Sequence, residues 1–326
     1  MQIDAAYFGP PAGAAQAARA ARRAGLNGLW IPETGHDPFL ALLLASQAEP
    51  ELQMGTAIAV AFSRSPMTLA QTAWDLAGLT GGKFHLGLGS QIKPHITRRF
   101  SMPWGSPVEQ MREFIQALRA IWAAFDGKAP LKFQGQYYQL SLLTPFFTPS
   151  NYGHPSIPVG LAAVGPKMTE LAGELADFVV LHTFTNLAYL KQVTLPALER
   201  GSQKAGRPGS ELQRVGSLFI ITGDAERKQK MEGLVRQQMA FYGSTPAYRP
   251  VLEALGCGDL HEQLHGLSKQ GQWQEMARLI PPDVMQACSL TAEPDELKSA
   301  IQERFGGIYE RVLVHLEPDD LMALGR

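Results

Sequence analysis

Cysteine is nearly absent: two residues, Cys257 and Cys288, in a chain of 326. Two thiols do not make a disulfide framework, and they point to a reducing compartment. Net charge is also missing. Lys and Arg number 29 against 30 Asp and Glu, leaving −1 at neutral pH. No global field therefore draws nucleic acid or an anionic membrane, and any anion must be held by a local cluster. Long apolar runs are lacking too. The longest, Phe39 to Ala45, is too short to span a bilayer. Met1 to Phe8 reads directly as a strand, with no basic region and long apolar stretch of a secretion signal. The expectation is a cytoplasmic protein with neither a nucleic-acid nor a membrane partner.

What is present suits a large buried core, at 45% hydrophobic and 18% charged residues. Strand-like and helix-like segments alternate along the chain. Strands are expected at Ile3 to Phe8, Gly28 to Ile31, Gly55 to Phe62, Phe84 to Leu88, Ile157 to Leu161, Asp177 to Leu181, Val215 to Ile221 and Arg311 to Leu316. Helices fall between them: Pro11 to Ala24, one opened by Asp37-Pro38, one opened by Ser65-Pro66 and ending near Gly78, and Val108 to Phe125. Further on come Lys167 to Leu175 and Leu187 to Glu199. Asp-Pro and Ser-Pro supply an N-cap and a proline at the first helical position.

Eight strands with helices between them predict an α/β protein, a (β/α)8 TIM barrel, as one domain over 1–326. Two insertions interrupt it. A small one, 126–156, follows strand four and holds a hairpin at Phe133-Gln-Gly-Gln-Tyr-Tyr. A long, mainly helical one, 224–303, follows strand seven. A doubly wound sheet is the alternative. Its mark, G-x-G-x-x-G after the first strand, is missing, and Gly87-Leu-Gly89 after strand four has Ile92 where the third glycine would stand.

In a barrel the site is built from the loops after the strands. Strand two is followed by Glu33, His36 and Asp37, and strand three carries Thr56-Ala57-Ile58-Ala59. Strand four leads into Gly89, Ser90, Lys93, His95, Arg98 and Arg99. Strand five leads into Ala162, Ala163, Val164, Gly165, Pro166 and Lys167, and strand six into His182 and Thr183. Each has a plainer reading: Asp37 as a helix cap, Glu33 and His36 as a surface turn, the basic residues as a solvated face, His182 as a core histidine. Glu33, His36 and His182 also admit a metal hydrolase. H-x-H is absent, however, and strand-end carboxylates are scarce, which favours a flat organic ligand and no metal.

Two stretches carry a family resemblance. Thr68-Leu-Ala-Gln-Thr-Ala-Trp-Asp-Leu-Ala-Gly-Leu-Thr-Gly-Gly-Lys-Phe-His-Leu-Gly-Leu-Gly-Ser resembles the signature region of the luciferase-like monooxygenase superfamily, with Thr80-Gly-Gly-Lys at its turn. Val159-Gly-Leu-Ala-Ala-Val-Gly-Pro-Lys-Met resembles the loop after that family's strand five. Lys93-Pro-His-Ile-Thr-Arg-Arg-Phe-Ser-Met-Pro-Trp, Phe241-Tyr-Gly-Ser-Thr-Pro-Ala-Tyr-Arg-Pro and Gly271-Gln-Trp-Gln-Glu-Met resemble its coenzyme F420-dependent subfamily.

The resemblance implies a flavin or deazaflavin in the barrel mouth, backed by a non-prolyl cis peptide at Ala57–Ile58. It implies that Gly89-Ser90 and Ala162 to Lys167 take the ribityl chain and phosphate, and that Lys93, His95 and Arg98 meet the anionic tail. It makes His36 the proton-handling residue, tuned by Glu33 or Asp37. Tyr242, Tyr248, Arg249 and Trp273 are candidates to line a substrate site, or equally to form the core of the long insertion. The expected activity is hydride transfer between F420 and a small organic substrate. The alternatives are an FMN-dependent monooxygenase fed by a reductase and a flavin-binding barrel without turnover. A homodimer is a further expectation of the resemblance.

Overall fold

Eight parallel strands close into a barrel in the computed structural model, which describes residues 1–154, 156–316, 321, 322 and 324. The strands are β1 (Gln2–Ala6), β2 (Gly28–Ile31), β3 (Gln53–Thr56), β4 (Phe84–Gly89), β5 (Val159–Ala163), β6 (Phe178–Leu181), β7 (Gln213–Ser217) and β8 (Arg311–Val314). β1 pairs with β2 and β8, and β3 pairs with β4, so the ring has no free edge. The (β/α)8 barrel expected from the alternation is the observed fold.

Helices pack outside it: α1 (Ala14–Arg23), α2 (Pro38–Ala48), α3 (Pro66–Leu79), α4 (Pro107–Phe125) and α5 (Pro166–Leu175). The caps form as the sequence requires. Asp37 Oδ1 accepts from Phe39 N at 2.8 Å, and Ser65 Oγ accepts from Thr68 N at 3.1 Å. The apolar stripe of α4, with Met111, Phe114, Ile115, Leu118 and Ile121, is fully buried in the layer between helices and strands. The hairpin in the first insertion forms between Phe133–Gln134 and Gln139–Leu140.

Three expectations need correction. The third strand is not continuous over Gly55 to Phe62: the Ala57–Ile58 peptide is cis, and the strand resumes only as Ala59–Val60 before a short turn, Ala61–Ser63. The seventh does not run from Val215 to Ile221. β7 stops at Ser217, and Phe219–Ile221 leaves the barrel to pair in parallel with Ser289–Thr291. An unbroken apolar run concealed that change of partner. The helical span 224–303 also divides. Ala225–Gly243, Gly258–Lys269, Trp273–Arg278 and Pro282–Cys288 surround their own apolar core of Met239, Leu252, Leu264, Met276 and Val284. Leu297–Phe305 instead buries Leu297, Ile301 and Phe305 in the main core, as a barrel helix.

Side chains alternate along each strand, so every second residue of β6 points down the lumen. Phe178 and Val180 pack there with Trp30, Val215 and Leu313. Glycines make room for the rings. A Cβ on Gly55 would strike Trp30, one on Gly160 would strike Phe178, and one on Gly216 would strike Tyr309. The lower end of the lumen is polar but closed. Asp4 Oδ2 accepts from Trp30 Nε1 at 2.7 Å and from Arg311 Nη1, and the Arg311 guanidinium lies 5.4 Å from the Trp30 ring centre. His85 Nε2 hydrogen-bonds Gln53 Nε2 at 2.9 Å. Burial, with the Arg311 charge as a second cause, lowers its pKa to about 4.

Candidate active site at the barrel mouth

At the opposite end the lumen rises to a shelf of small side chains. Ala6, Ala57, Ile58 and Ala162 are half-buried and rest on the aromatic layer below. The shelf is held through backbone groups. Glu33 N donates to Ile58 O at 2.8 Å, Ala57 N to Ile31 O at 3.2 Å, and Thr56 Oγ1 to Gly87 O at 2.7 Å. Gly89 lies against it: a Cβ there would sit 2.6 Å from Ile58 Cδ1. The result is a flat apolar surface bounded by backbone, the shape a planar ring system requires.

Beside the shelf runs a groove of about 550 Å3, lined by Ser90, Lys93, Trp104, Val108, Gly165 and Lys167. Two helices begin on it. α4 starts at Pro107 behind Ser106, and α5 starts at Pro166 behind Gly165; neither has a side-chain cap hydrogen bond. The first amides of a helix have no partner within it, and their dipoles carry a positive end. Lys93 and Lys167 are both exposed here. Two uncapped helix starts and two ammonium groups along one groove make an anion cradle. A deazaflavin or flavin, with a planar ring and an anionic tail, fits this pairing of shelf and groove.

The candidate residues fall into groups. Ala57, Ile58, Gly89 and Ala162 meet at the shelf, while Ser90, Lys93, Gly165, Pro166 and Lys167 line the groove. Ala163 turns outward into the layer under the helices, so its side chain does not reach the mouth. His95 opens a widened helical turn, His95–Arg99; its Nδ1 is buried without a hydrogen-bond partner, and Arg98 is exposed. Arg99 donates to Thr34 O at 2.8 Å, tying this turn to the loop after β2.

His36 stands exposed in that loop. Glu33 and Asp37 hydrogen-bond elsewhere. Glu33 Oε2 accepts from Val60 N at 2.8 Å and Arg64 Nη1 at 2.6 Å, and Asp37 Oδ2 accepts from Arg64 Nη2 at 2.7 Å. Their shared work is to fasten the loop after β2 to the end of the third strand. Arg64 is the residue that sequence reading missed; its place beside Ser65-Pro66 was its one signal.

His182 continues the β6 ladder of Phe178 and Val180 and so faces the lumen at the mouth. Its Nδ1 accepts from Phe184 N at 3.0 Å, and burial lowers its pKa to about 4. Tyr242 and Tyr248, from the helical insertion, bring their ring centres to 4.5 and 4.6 Å from it. Arg249 is held by Glu253 and Glu262, each at 2.7 Å, and Trp273 lies on the surface at 53% exposure, so neither lines the mouth. His315, at the end of β8, was also missed; it packs edge-on to Phe8 at 4.7 Å.

Glu33, His36 and His182 are not gathered as metal ligands. Among the described residues no group of three or more His, Cys, Asp or Glu is placed to hold a metal. His261-Glu-Gln-Leu-His265 has the H-E-x-x-H spacing of a zinc site. Here His261 Nδ1 bonds Gly243 O at 2.7 Å and His265 Nδ1 bonds Ser244 O at 2.9 Å. The pair closes off the end of helix Ala225–Gly243, and Glu262 is taken by Arg249.

The luciferase-like monooxygenase family model matches residues 3–310, and the chain belongs to that family. It is an oxidoreductase of the luciferase-like class. An uncharacterized protein of Mycobacterium tuberculosis is 45% identical over 315 residues, 96% of this chain and 92% of that one. The F420-dependent glucose-6-phosphate dehydrogenase of Amycolatopsis mediterranei is 23% identical over 316 residues, 92% of this chain and 87% of that one. In fold, the coenzyme F420-dependent tetrahydromethanopterin reductase of Methanopyrus kandleri superposes with a TM-score of 0.79 at 19% identity, covering 100% of this chain and 98% of that one. The oxygenating constituent of 3,6-diketocamphane monooxygenase of Pseudomonas putida, in complex with FMN, gives 0.68 at 14%, covering 100% and 97%.

Proposed function

We propose that this enzyme is a coenzyme F420-dependent oxidoreductase that transfers hydride to or from a small organic substrate, with the whole chain acting as one catalytic unit around the barrel mouth. The groove between α4 and α5 carries the reading. Its two uncapped helix starts, with Lys93 and Lys167, suit a tail bearing several negative charges, and Arg98 extends the positive face outward. Bound there, the deazaflavin supplies the two-electron hydride chemistry. The residues do the rest. Ala57, Ile58, Gly89 and Ala162 back the ring and fix its depth. Gly165, Pro166 and Lys167 anchor the phosphate through the start of α5, with Ser90 and His95 on the facing loop. His36 holds or delivers the proton that accompanies hydride transfer, an imidazole being suited to exchange near neutral pH. Arg64, through Glu33 and Asp37, fixes the loop that carries it. The two free thiols, Cys257 and Cys288, agree with a reducing compartment, the cytoplasm.

Titration of purified apoprotein with F420 and, separately, with reduced FMN tests the assignment. Micromolar F420 binding with weak FMN binding is the expected result. The reverse would make the protein an FMN-dependent monooxygenase that needs a reductase, and binding without turnover would make it a flavin carrier. The proposal includes a homodimer through α2, which shows Leu40 and Leu44, one turn apart, at 59% and 42% exposure. Light scattering of the Leu40→Glu, Leu44→Glu protein should show a monomer; an unchanged mass would remove α2 from the interface.

A further inference from the structure

We propose that His182, Tyr242 and Tyr248 form the substrate-recognition site, and that it selects an uncharged carbonyl or hydroxyl compound with an apolar body. This deepens the hydride-transfer reading and rests on it.

The geometry carries it. The three rings close on one another: 4.5 Å from His182 to Tyr242, 4.6 Å from His182 to Tyr248, and 5.3 Å between the tyrosines. His182 stands above Val180 on the lumen side of β6, while the tyrosines come from the insertion after β7. The cage is therefore shared by the barrel and its long insertion. β7 contributes Ser217 alongside, since Leu181 pairs with Gly216 and the next residues are neighbours.

Hydrogen bonding fixes the chemistry. Nδ1 of His182 accepts from a backbone amide, so in the neutral ring the proton sits on Nε2. That N–H meets no acceptor among the described residues, and neither do the hydroxyls of Tyr242 and Tyr248. None of these atoms is sealed from solvent without a partner. Three donors, carried on rings that touch one another, thus have no protein acceptor to use them. Burial favours the neutral forms, lowering the pKa of His182 and raising those of both phenols.

The described contacts of the cage rings are aromatic. Phe184, Phe219 and Phe241 pack around Tyr242 at 6.3, 6.5 and 5.4 Å. The guanidinium next in sequence, Arg249, is already paired with two glutamates. A phosphate or carboxylate buried here would find donors but no counter-charge, and burying an unpaired ion is costly. An uncharged oxygen satisfies the same donors without that cost. The cations at the mouth lie instead along the groove between α4 and α5.

The test measures binding by ligand-detected NMR, using a set of branched and cyclic ketones and alcohols against glucose 6-phosphate and hexanoate. It is run on apoprotein and on F420-loaded protein. Neutral compounds should bind and the two anions should not. Tyr248→Phe and His182→Gln should each weaken the best neutral ligand by about tenfold, the loss expected for one hydrogen bond, while F420 affinity stays unchanged. Nitrogen-15 spectra should show the Nε2–H form of His182 from pH 8 down to pH 6, well above its pKa of about 4. Preferential binding of either anion, no binding of any neutral compound, an Nδ1–H tautomer, or full affinity in Tyr248→Phe would overturn the proposal. Failure of F420 to bind the wild-type protein, with neutral-ligand binding intact, would sink the cofactor reading and leave the cage standing.

Discussion

The two ends of the barrel differ in how they treat polar groups. At the lower end Asp4, Arg311 and Trp30 spend their charges and donors on one another, and Gln53 does the same for His85. At the mouth, donors are left over: the first amides of α4 and α5, Nε2 of His182, and the phenols of Tyr242 and Tyr248. Side-chain volume differs in the same sense. Trp30 and Phe178 fill the lumen below, whereas alanine and glycine top it. The lower end is closed by the Asp4–Arg311 ion pair and the Trp30 hydrogen bond, although Asp4 Oδ1 and Arg311 Nε stay buried without a hydrogen-bond partner among the described residues. The mouth carries donors that no protein group uses among the described residues.

Substitutions at each end test this division. The largest effect on stability is expected for Asp4→Ala. It strands a buried guanidinium, and urea unfolding should show a loss of about 3–5 kcal/mol. A loss near zero would mean that the lower end is not sealed. At the mouth, His36→Ala should reduce turnover roughly a hundred- to ten-thousand-fold, with F420 affinity and melting temperature little changed. Full turnover would return His36 to the surface-turn reading.

His85 gives a pH signature confined to the lower end. Its folded pKa of about 4 lies below the ordinary 6.5. The unfolded chain therefore takes up the proton first, so stability is full above 6.5 and declines as pH falls from there to about 4. The imidazole accounts for at most about 3 kcal/mol of that decline. His85→Gln should flatten the urea-derived stability between those pH values; a curve of unchanged slope would show that the ring is not buried neutral.

The smallest effects belong to the groove. Lys93→Glu and Lys167→Glu should each weaken F420 binding by about tenfold and leave stability within error, with the loss shrinking as salt rises. Wild-type affinity in both variants would return these lysines to a solvated face.

The barrel was legible because its signals are local. Proline after a capping residue marks α2 and α3, and the period of Met111, Phe114, Ile115 and Leu118 marks α4. The shelf and groove were legible as strand ends. The partnerships were not. Arg64 reaches Glu33 across 31 positions, and His182 meets Tyr242 across an insertion, so no spacing rule reports either contact. Phe219–Ile221 reads as a continuation of β7 because a strand's apolar pattern does not say which neighbour it pairs with.

That short ladder has a consequence for descent. Phe219–Ile221 and Ser289–Thr291 stitch together the exit and the return of the long excursion after β7, and the residues between them have a core of their own. The excursion is a cassette behind a clasp. Evolution can lengthen it, shorten it or exchange it while the barrel keeps its register. Tyr242 and Tyr248 travel with the cassette, whereas the shelf and the groove stay with the barrel. On the proposed assignment, replacing that one segment would change the substrate and leave the shelf and groove as they are.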